Sequence, residues 1–247
     1  KLSWRKDILG IIDWLERECA QLGVTFKMNQ LVDAGDTLEE TPDVVILATG
    51  GFPHVDWVEG DAKLLSTWDV LSGMASLEGD VLIHDQTGRN VALTAVDYLS
   101  EQGANITCNT QDATIGADAM RLEISPFMKR FYERGVAFQT DHELIKATTS
   151  NNKISVTFRN MHTSKLSEKQ FDHVVVEAGT LPNDEVFYNM NETAVNKGIV
   201  NLDAMIKSLS QPVENEAGYY LYRIGDVAGS RDIHCAMLDA MRICSTI

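Results

Sequence analysis

Two short stretches of this sequence place a glycine and a polar neighbour at the end of an apolar run. Thr49-Gly50 follows Val44-Val45-Ile46-Leu47-Ala48, and Gly225-Asp226 follows Tyr219–Ile224. A residue without a side chain at a strand end lets the backbone approach a nucleotide closely. The bland reading of Thr49-Gly50 is a strand-to-loop turn. Gly225-Asp226 precedes a helical pattern, where free N–H groups and the helix dipole favour an anion. Asp226 would equally serve as a helix cap. Both readings stay open for each pair.

A third turn, His84-Asp85-Gln86-Thr87-Gly88-Arg89, follows the apolar strand at Asp80–Ile83. A dinucleotide-binding turn in that place reads Gly-x-Gly-x-x-Gly, whose glycines admit the pyrophosphate. Only Gly88 remains here, and Asp85 brings a negative side chain to where a pyrophosphate would lie. Where an acid would take the ribose hydroxyls, further along, stand Asn109 and Thr110. The turn argues against tight NAD(P) binding, yet Arg89 could contact a phosphate and Asn109 a hydroxyl.

No residue set reads as a catalytic centre. His84, at a strand end, and His234, at the start of the last helix, are expected to be structural. His54 and His173 form no locatable constellation with a Ser, Cys or Asp. There is no Gly-x-Ser-x-Gly elbow of the hydrolase kind. Cys19, Cys108, Cys235 and Cys244 include no Cys-x-x-Cys pair and suit neither zinc nor an iron–sulfur cluster. They are expected to be reduced thiols. Trp4, Trp14, Trp57 and Trp68 are expected to pack a core or dock against another domain.

The elements that would position these residues follow from apolar periodicity. Ile8–Leu22 has helical spacing, closed by Gly23, and Val24–Met28 follows as a short strand after which Asp33–Thr41 is polar. Asp43–Leu47 reads as a strand buried on both faces. Asp80–Asp85, Val91–Gln102 and Ala104–Cys108 make a βαβ unit with a right-handed crossover. A helix is expected at Pro126–Arg134, a strand at Val136–Phe138, and a half-exposed antiparallel strand at Lys153–Arg159. Phe171–Glu177 is a second buried strand, Tyr219–Asp226 runs from a strand into its turn, and Ile233–Ile243 is the last helix. Asp43…Gly50 and Asp172…Gly179 repeat one device of acid, buried strand and small turn. The class is α/β: two nested Rossmann-like units with parallel sheets and an antiparallel insert.

Composition sets the outer limits. The chain has 247 residues, 44% of them apolar, which is globular composition. With 21 Lys+Arg against 36 Asp+Glu its formal charge is −15, which argues against a nucleic acid or an anionic membrane as the main partner. No apolar run approaches the roughly 20 residues of a membrane span, and there is no cleavable signal pattern. A cytoplasmic protein is expected.

Taken in order, Val44–Gly50, the βαβ at Asp80–Cys108, Val174–Asn183 and Ile224-Gly225-Asp226 resemble the FAD/NAD(P)-linked disulfide-reductase-like fold. More narrowly, nearly the whole chain resembles the C-terminal portion of old-yellow-enzyme-related oxidoreductases. That group includes 2,4-dienoyl-CoA reductase, trimethylamine and dimethylamine dehydrogenases, and N-methylproline demethylase. The resemblance implies an FMN-bearing barrel with an iron–sulfur cluster ahead of this portion, as its main partner, in a parent that could be a homo-oligomer.

It also implies a partial FAD- or ADP-binding domain at 1–75 and 184–247 and an NAD(P)-binding-like domain at 76–183. Thr49 and Gly50 would then lie beside the FAD, and Asp226, with Gly225, would accept from FAD or ADP hydroxyls. The family's Gly-x-Gly-x-x-Gly strand and turn lie upstream of the helix at Ile8–Leu22, so the first βαβ of that domain is expected to be missing here. Two functions follow from the resemblance. One is electron transfer to or from the flavin of a modular flavoenzyme. The other is a non-catalytic ADP-binding or assembly domain of an amine-dehydrogenase-type enzyme, the branch in which the second nucleotide fold has lost its part in hydride transfer.

Overall fold

The computed structural model describes residues 7–213 and 217–247, so Trp4 lies outside the described residues. Helices α1 (Gly10–Gln21) and α2 (Ala34–Glu39) come first, then strands β1 (Val44–Leu47), β2 (Gly51–Pro53) and β3 (Leu65–Ser66), and helix α3 (Thr67–Ser72). An alternating run follows: β4 (Asp80–Asp85), α4 (Asn90–Glu101), β5 (Asn105–Thr110), α5 (Arg121–Glu133) and β6 (Ala137–Gln139). Next are β7 (His142–Ser150), β8 (Lys153–Asn160), β9 (Leu166–Phe171), β10 (His173–Glu177) and β11 (Thr180–Pro182). The chain ends with α6 (Glu185–Met190), α7 (Leu202–Ile206), β12 (Tyr220–Arg223) and α8 (Ile233–Cys244).

The chain divides into two compact units. The first takes Pro53–Gly179 together with the N-terminal segment up to Val24. Its centre is a five-stranded parallel sheet in the order β3-β10-β4-β5-β6. From β4 the chain winds one way through α4 and α5, then returns on the other side as β10, so β4 is the topological switch point. Side-chain alternation builds two cores. Val81, Ile83 and Val175 pack with Leu93, Val96, Phe127 and Phe131 from the helices. Leu82, Val174 and Val176 pack with Leu144, Val156 and Phe158 from the antiparallel sheet β7-β8-β9. Continuous apolar runs are what a sheet covered on both faces requires.

The second unit takes Thr25–Phe52 and Thr180–Ile247. Strands β1 and β12 pair in parallel, Val44 opposite Tyr220 through Leu47 opposite Arg223. Val45, Leu47 and Leu221 bury against Phe187, Met190 and Ala194. The Arg223 guanidinium lies 4.4 Å over the Phe187 ring. Among the described residues the outer edge of β1 has no strand partner.

Several local expectations change. Residues 53–75 were expected with the FAD-like domain, but Leu65 and Ser66 pair with Val175 and Val176, and Val70 sits in the core of the parallel sheet. Val24–Met28 is irregular, with Phe26 and Met28 exposed, because no described strand offers it a ladder. The polar Asp33–Thr41 segment contains α2, started by a capping box: Asp36 N donates to Asp33 Oδ1 at 2.9 Å and Asp33 N to Asp36 Oδ2 at 3.1 Å. Helix α5 begins at Arg121, before Pro126, which costs it one donor near its start. The expected strand Phe171–Glu177 is two strands, broken where Asp172 turns its carboxylate to the Asp80 N–H at 2.9 Å.

Candidate functional site

In the second unit the register of β1 and β12 brings two of the three turns together. Because Leu47 is opposite Arg223, Thr49-Gly50 and Gly225-Asp226 leave the same edge of the pair. Residues 180–183 fasten both. Thr49 Oγ1 donates to the Asn183 carbonyl at 2.6 Å, and Asn183 N donates to the Gly50 carbonyl at 3.0 Å. Thr180 Oγ1 donates to Asp226 Oδ2 at 3.2 Å, while Arg231 N donates to Asp226 Oδ1 at 3.2 Å. Gly225 N donates to Asp239 Oδ2 at 3.1 Å, and Asp239 also pairs with Arg231.

Asp226 does not cap the last helix. Asp232 does, accepting from Cys235 N at 2.8 Å. Each Asp226 oxygen therefore holds one bond from its own chain and keeps lone pairs for a further hydroxyl. Gly50 has φ +70°, and a Cβ there would meet no atom within 4 Å. The position combines a left-handed backbone with open space, which fits a ligand approaching the main chain. These features fit the hydroxyl-bearing part of a nucleotide. Thr180 and Asn183 carry no recognisable signal beyond following the second acid–strand–turn repeat.

The first unit treats its turn differently. Gly88, φ +64°, and Arg89 lie where β4 meets α4, at the switch point. Asp85 Oδ1 accepts from Thr87 N at 2.9 Å, Thr87 Oγ1 at 3.0 Å and Gly88 N at 3.0 Å. Gln86 N donates to the Glu177 carbonyl at 2.8 Å, and Arg89 N to Thr87 Oγ1 at 3.3 Å. Every amide from 86 to 89 is thus engaged within the chain. Asn109 is fully buried. Its Nδ2 donates to the carbonyls of Gln139 (3.0 Å) and His142 (3.1 Å), and its Oδ1 bonds His84 Nδ1. Both its donors are spent inside the chain, and it has no exposed surface to offer a ribose hydroxyl. These residues do not fit NAD(P).

Burial controls the charges here. Because Asn109 Oδ1 can only accept, His84 Nδ1 carries the proton, and the neutral ring is held by burial at a pKa of about 4. Burial raises Asp85 to about 6 against the pull of its three donors. Glu177, opposite Asp85 in the β4–β10 register, is also raised by burial; Thr67 Oγ1 and Gly179 N donate to it, and Arg89 lies near enough to pull it down. Burial likewise raises the Cys108 thiol. Trp57 packs beside His84 at 5.6 Å between ring centroids, whereas Trp14 and Trp68 are exposed. Among the described residues no helix is long and apolar enough to cross a membrane.

No family model matches the chain. It is 34% identical over 246 residues to a probable N-methylproline demethylase of Rhizobium meliloti, covering 98% of this chain and 36% of that protein. It is 31% identical over 258 residues to an N,N-dimethylglycine/sarcosine dehydrogenase of Chromohalobacter salexigens, covering 99% of this chain and 37% of that one. The chain therefore spans little more than a third of the curated relatives it matches. Among solved structures, histamine dehydrogenase from Rhizobium sp. 4-9 matches with a TM-score of 0.71 at 17% identity, over 91% of this chain and 34% of that one. Lactococcus lactis thioredoxin reductase matches with 0.58 at 21% identity, over 81% of this chain and 63% of that one. Those two likenesses bear on the fold, which is that of the disulfide-reductase-like nucleotide-binding proteins. Nearly the whole length of the chain is accounted for by these relatives, and it is homologous to one portion of the old-yellow-enzyme-related oxidoreductases.

Proposed function

We propose that this chain is the C-terminal nucleotide-binding part of a modular flavin oxidoreductase, whose substrate chemistry takes place on FMN in a preceding barrel with an iron–sulfur cluster. The second unit holds a FAD or an ADP, and electrons pass to or from the flavin elsewhere in the protein. One observation carries this reading: the Thr49-Gly50 and Gly225-Asp226 turns share one sheet edge, braced by residues 180–183. FAD bound there would supply an electron carrier, and ADP only a fixed anchor. The residues of the chain do the holding. Gly50 leaves room for the ligand, Asp226 accepts from its hydroxyls, and Thr180 and Asn183 keep the turns in place.

The pyrophosphate cradle would come from a βαβ preceding this chain. The free edge of β1 supports that, as does a groove of about 660 Å³ along it, lined by Leu31, Val32, Val44 and Ile46. An apolar strand seated there would cover Leu31, now wholly exposed, and Val44, 37% exposed. The second reading, a non-catalytic ADP-binding or assembly role, is favoured by the engaged amides at 86–89. Four free thiols support a cytoplasmic setting. Denaturing the intact, longer protein and separating what it releases tests the proposal. FAD or ADP equimolar with the chain, beside FMN, is expected; FMN alone would overturn it.

A further inference from the structure

We propose that Asp85 is an internal anion: its carboxylate fills the position in the first unit that a doubly wound nucleotide fold reserves for a pyrophosphate, and that unit takes no NAD(P). The inference rests on reading the first unit as a dinucleotide fold, and adds why its site is closed. In such folds the ligand's phosphates lie at the switch point, on the amides that open the helix after the first strand. That place is the β4–α4 turn. A carboxylate oxygen already sits there, accepting from two amides and a hydroxyl within 3.0 Å.

Asp85 is only 1% exposed, so it is built into the turn and does not lie across it. The neighbouring amides are spent as well, Gln86 N on Glu177 O and Arg89 N on Thr87 Oγ1. A second carboxylate, Glu177, lies in register beside it, which makes a further anion there costly. The mouth is also covered: Asp118 N donates to the Gly88 carbonyl at 3.0 Å, and a Cβ on Gly88 would come within 2.9 Å of that nitrogen. The glycine thus serves close packing against residues 117–118 in place of ligand access.

Chemical rescue tests this in the full 247-residue chain. Asp85→Ala empties the anion position, and formate matches the missing carboxylate. About 100 mM formate, compared with chloride at equal ionic strength, is expected to raise the melting temperature of Asp85→Ala by about 2 °C or more. Wild type and Asp85→Asn, whose positions remain filled, are expected not to respond. No differential response of a folded Asp85→Ala would overturn the proposal. Where that variant does not fold, the wild-type amide resonances of Thr87 and Gly88 decide. They are expected to stay unmoved by pyrophosphate, ADP-ribose or NADH, and saturable movement with any of these would overturn it. These readouts concern only the first unit. Failure of the nucleotide-release experiment leaves them standing, and their failure leaves that experiment standing.

Discussion

His84 and Asp85, neighbours at the end of β4, are each buried by the fold and respond to acid in opposite ways. The folded pKa of His84, about 4, lies below its ordinary 6.5. Its contribution to stability is complete above pH 6.5 and is lost as the pH falls toward 4. The folded pKa of Asp85, about 6, lies above its ordinary 3.8. Its contribution is complete below pH 3.8 and is lost as the pH rises through 6. Each swing is about 3 kcal/mol, so between pH 4 and 6 the two largely cancel. Asp85→Asn removes one side of the balance. It is expected to be more stable than wild type by about 1–2 kcal/mol at pH 8, where a buried charge is relieved. It should also lose stability steeply from pH 6.5 to 4, where wild type is nearly flat. Urea unfolding at pH 4.5, 6 and 8 measures both, and parallel pH profiles would refute the pairing. The charge of Asp85 at a phosphate position was visible in the sequence. Its destination was not, because nothing in one chain shows that the amides of Thr87 and Gly88 turn inward to it.

At the scale of elements, α4 and α5 are joined by one buried carboxylate. Asp97, 1% exposed, takes Arg130 Nε at 2.8 Å and Arg134 Nη1 at 2.7 Å. Both arginine side chains are about a quarter exposed, so water shares part of the load. Asp97→Ala removes the buried carboxylate from both cations, leaving Arg134 its bonds to the residue-97 carbonyl, Ser100 and Glu101, and is expected to cost about 2–4 kcal/mol, read as a lower urea midpoint at unchanged slope. A change under about 0.5 kcal/mol would show the pairs to be ornamental. The strands β4 and β10 were legible because a sheet covered on both faces demands continuous apolar runs, whereas β1, expected to be buried on both faces, buries Val45 and Leu47 and leaves Val44 exposed. The short helices α2 and α3 were not, since at six residues each they owe their start to capping boxes, Asp33 with Asp36 and Ser66 with Asp69. The pairing of residues 65–66 with β10 has no signal in the sequence, because β3 has two residues, too few to show a period.

At the scale of the whole molecule, the strand-end turns of the two units have opposite local chemistry. In the second unit Gly50 and Asp226 leave space and acceptors at a shared edge. In the first, Asp85 and Asn109 use up the groups that a dinucleotide would need. The sequence showed the ordered turns and the degraded glycine pattern, and so the family. It did not show which turn stays open, because that depends on where side chains such as Thr180 and Asn183 close their bonds. The acidic balance of −15 belongs to a chain that covers little more than a third of its relatives' length. The nucleotide content of variants of the intact protein tests this division most directly. Gly50→Val places a β-branched side chain at φ +70° and fills the open space, so the bound FAD or ADP is expected to fall about tenfold or more. Asp85→Asn, in the unit proposed to take no nucleotide, is expected to retain it in full. Loss from Asp85→Asn with retention in Gly50→Val would contradict the division between the two units.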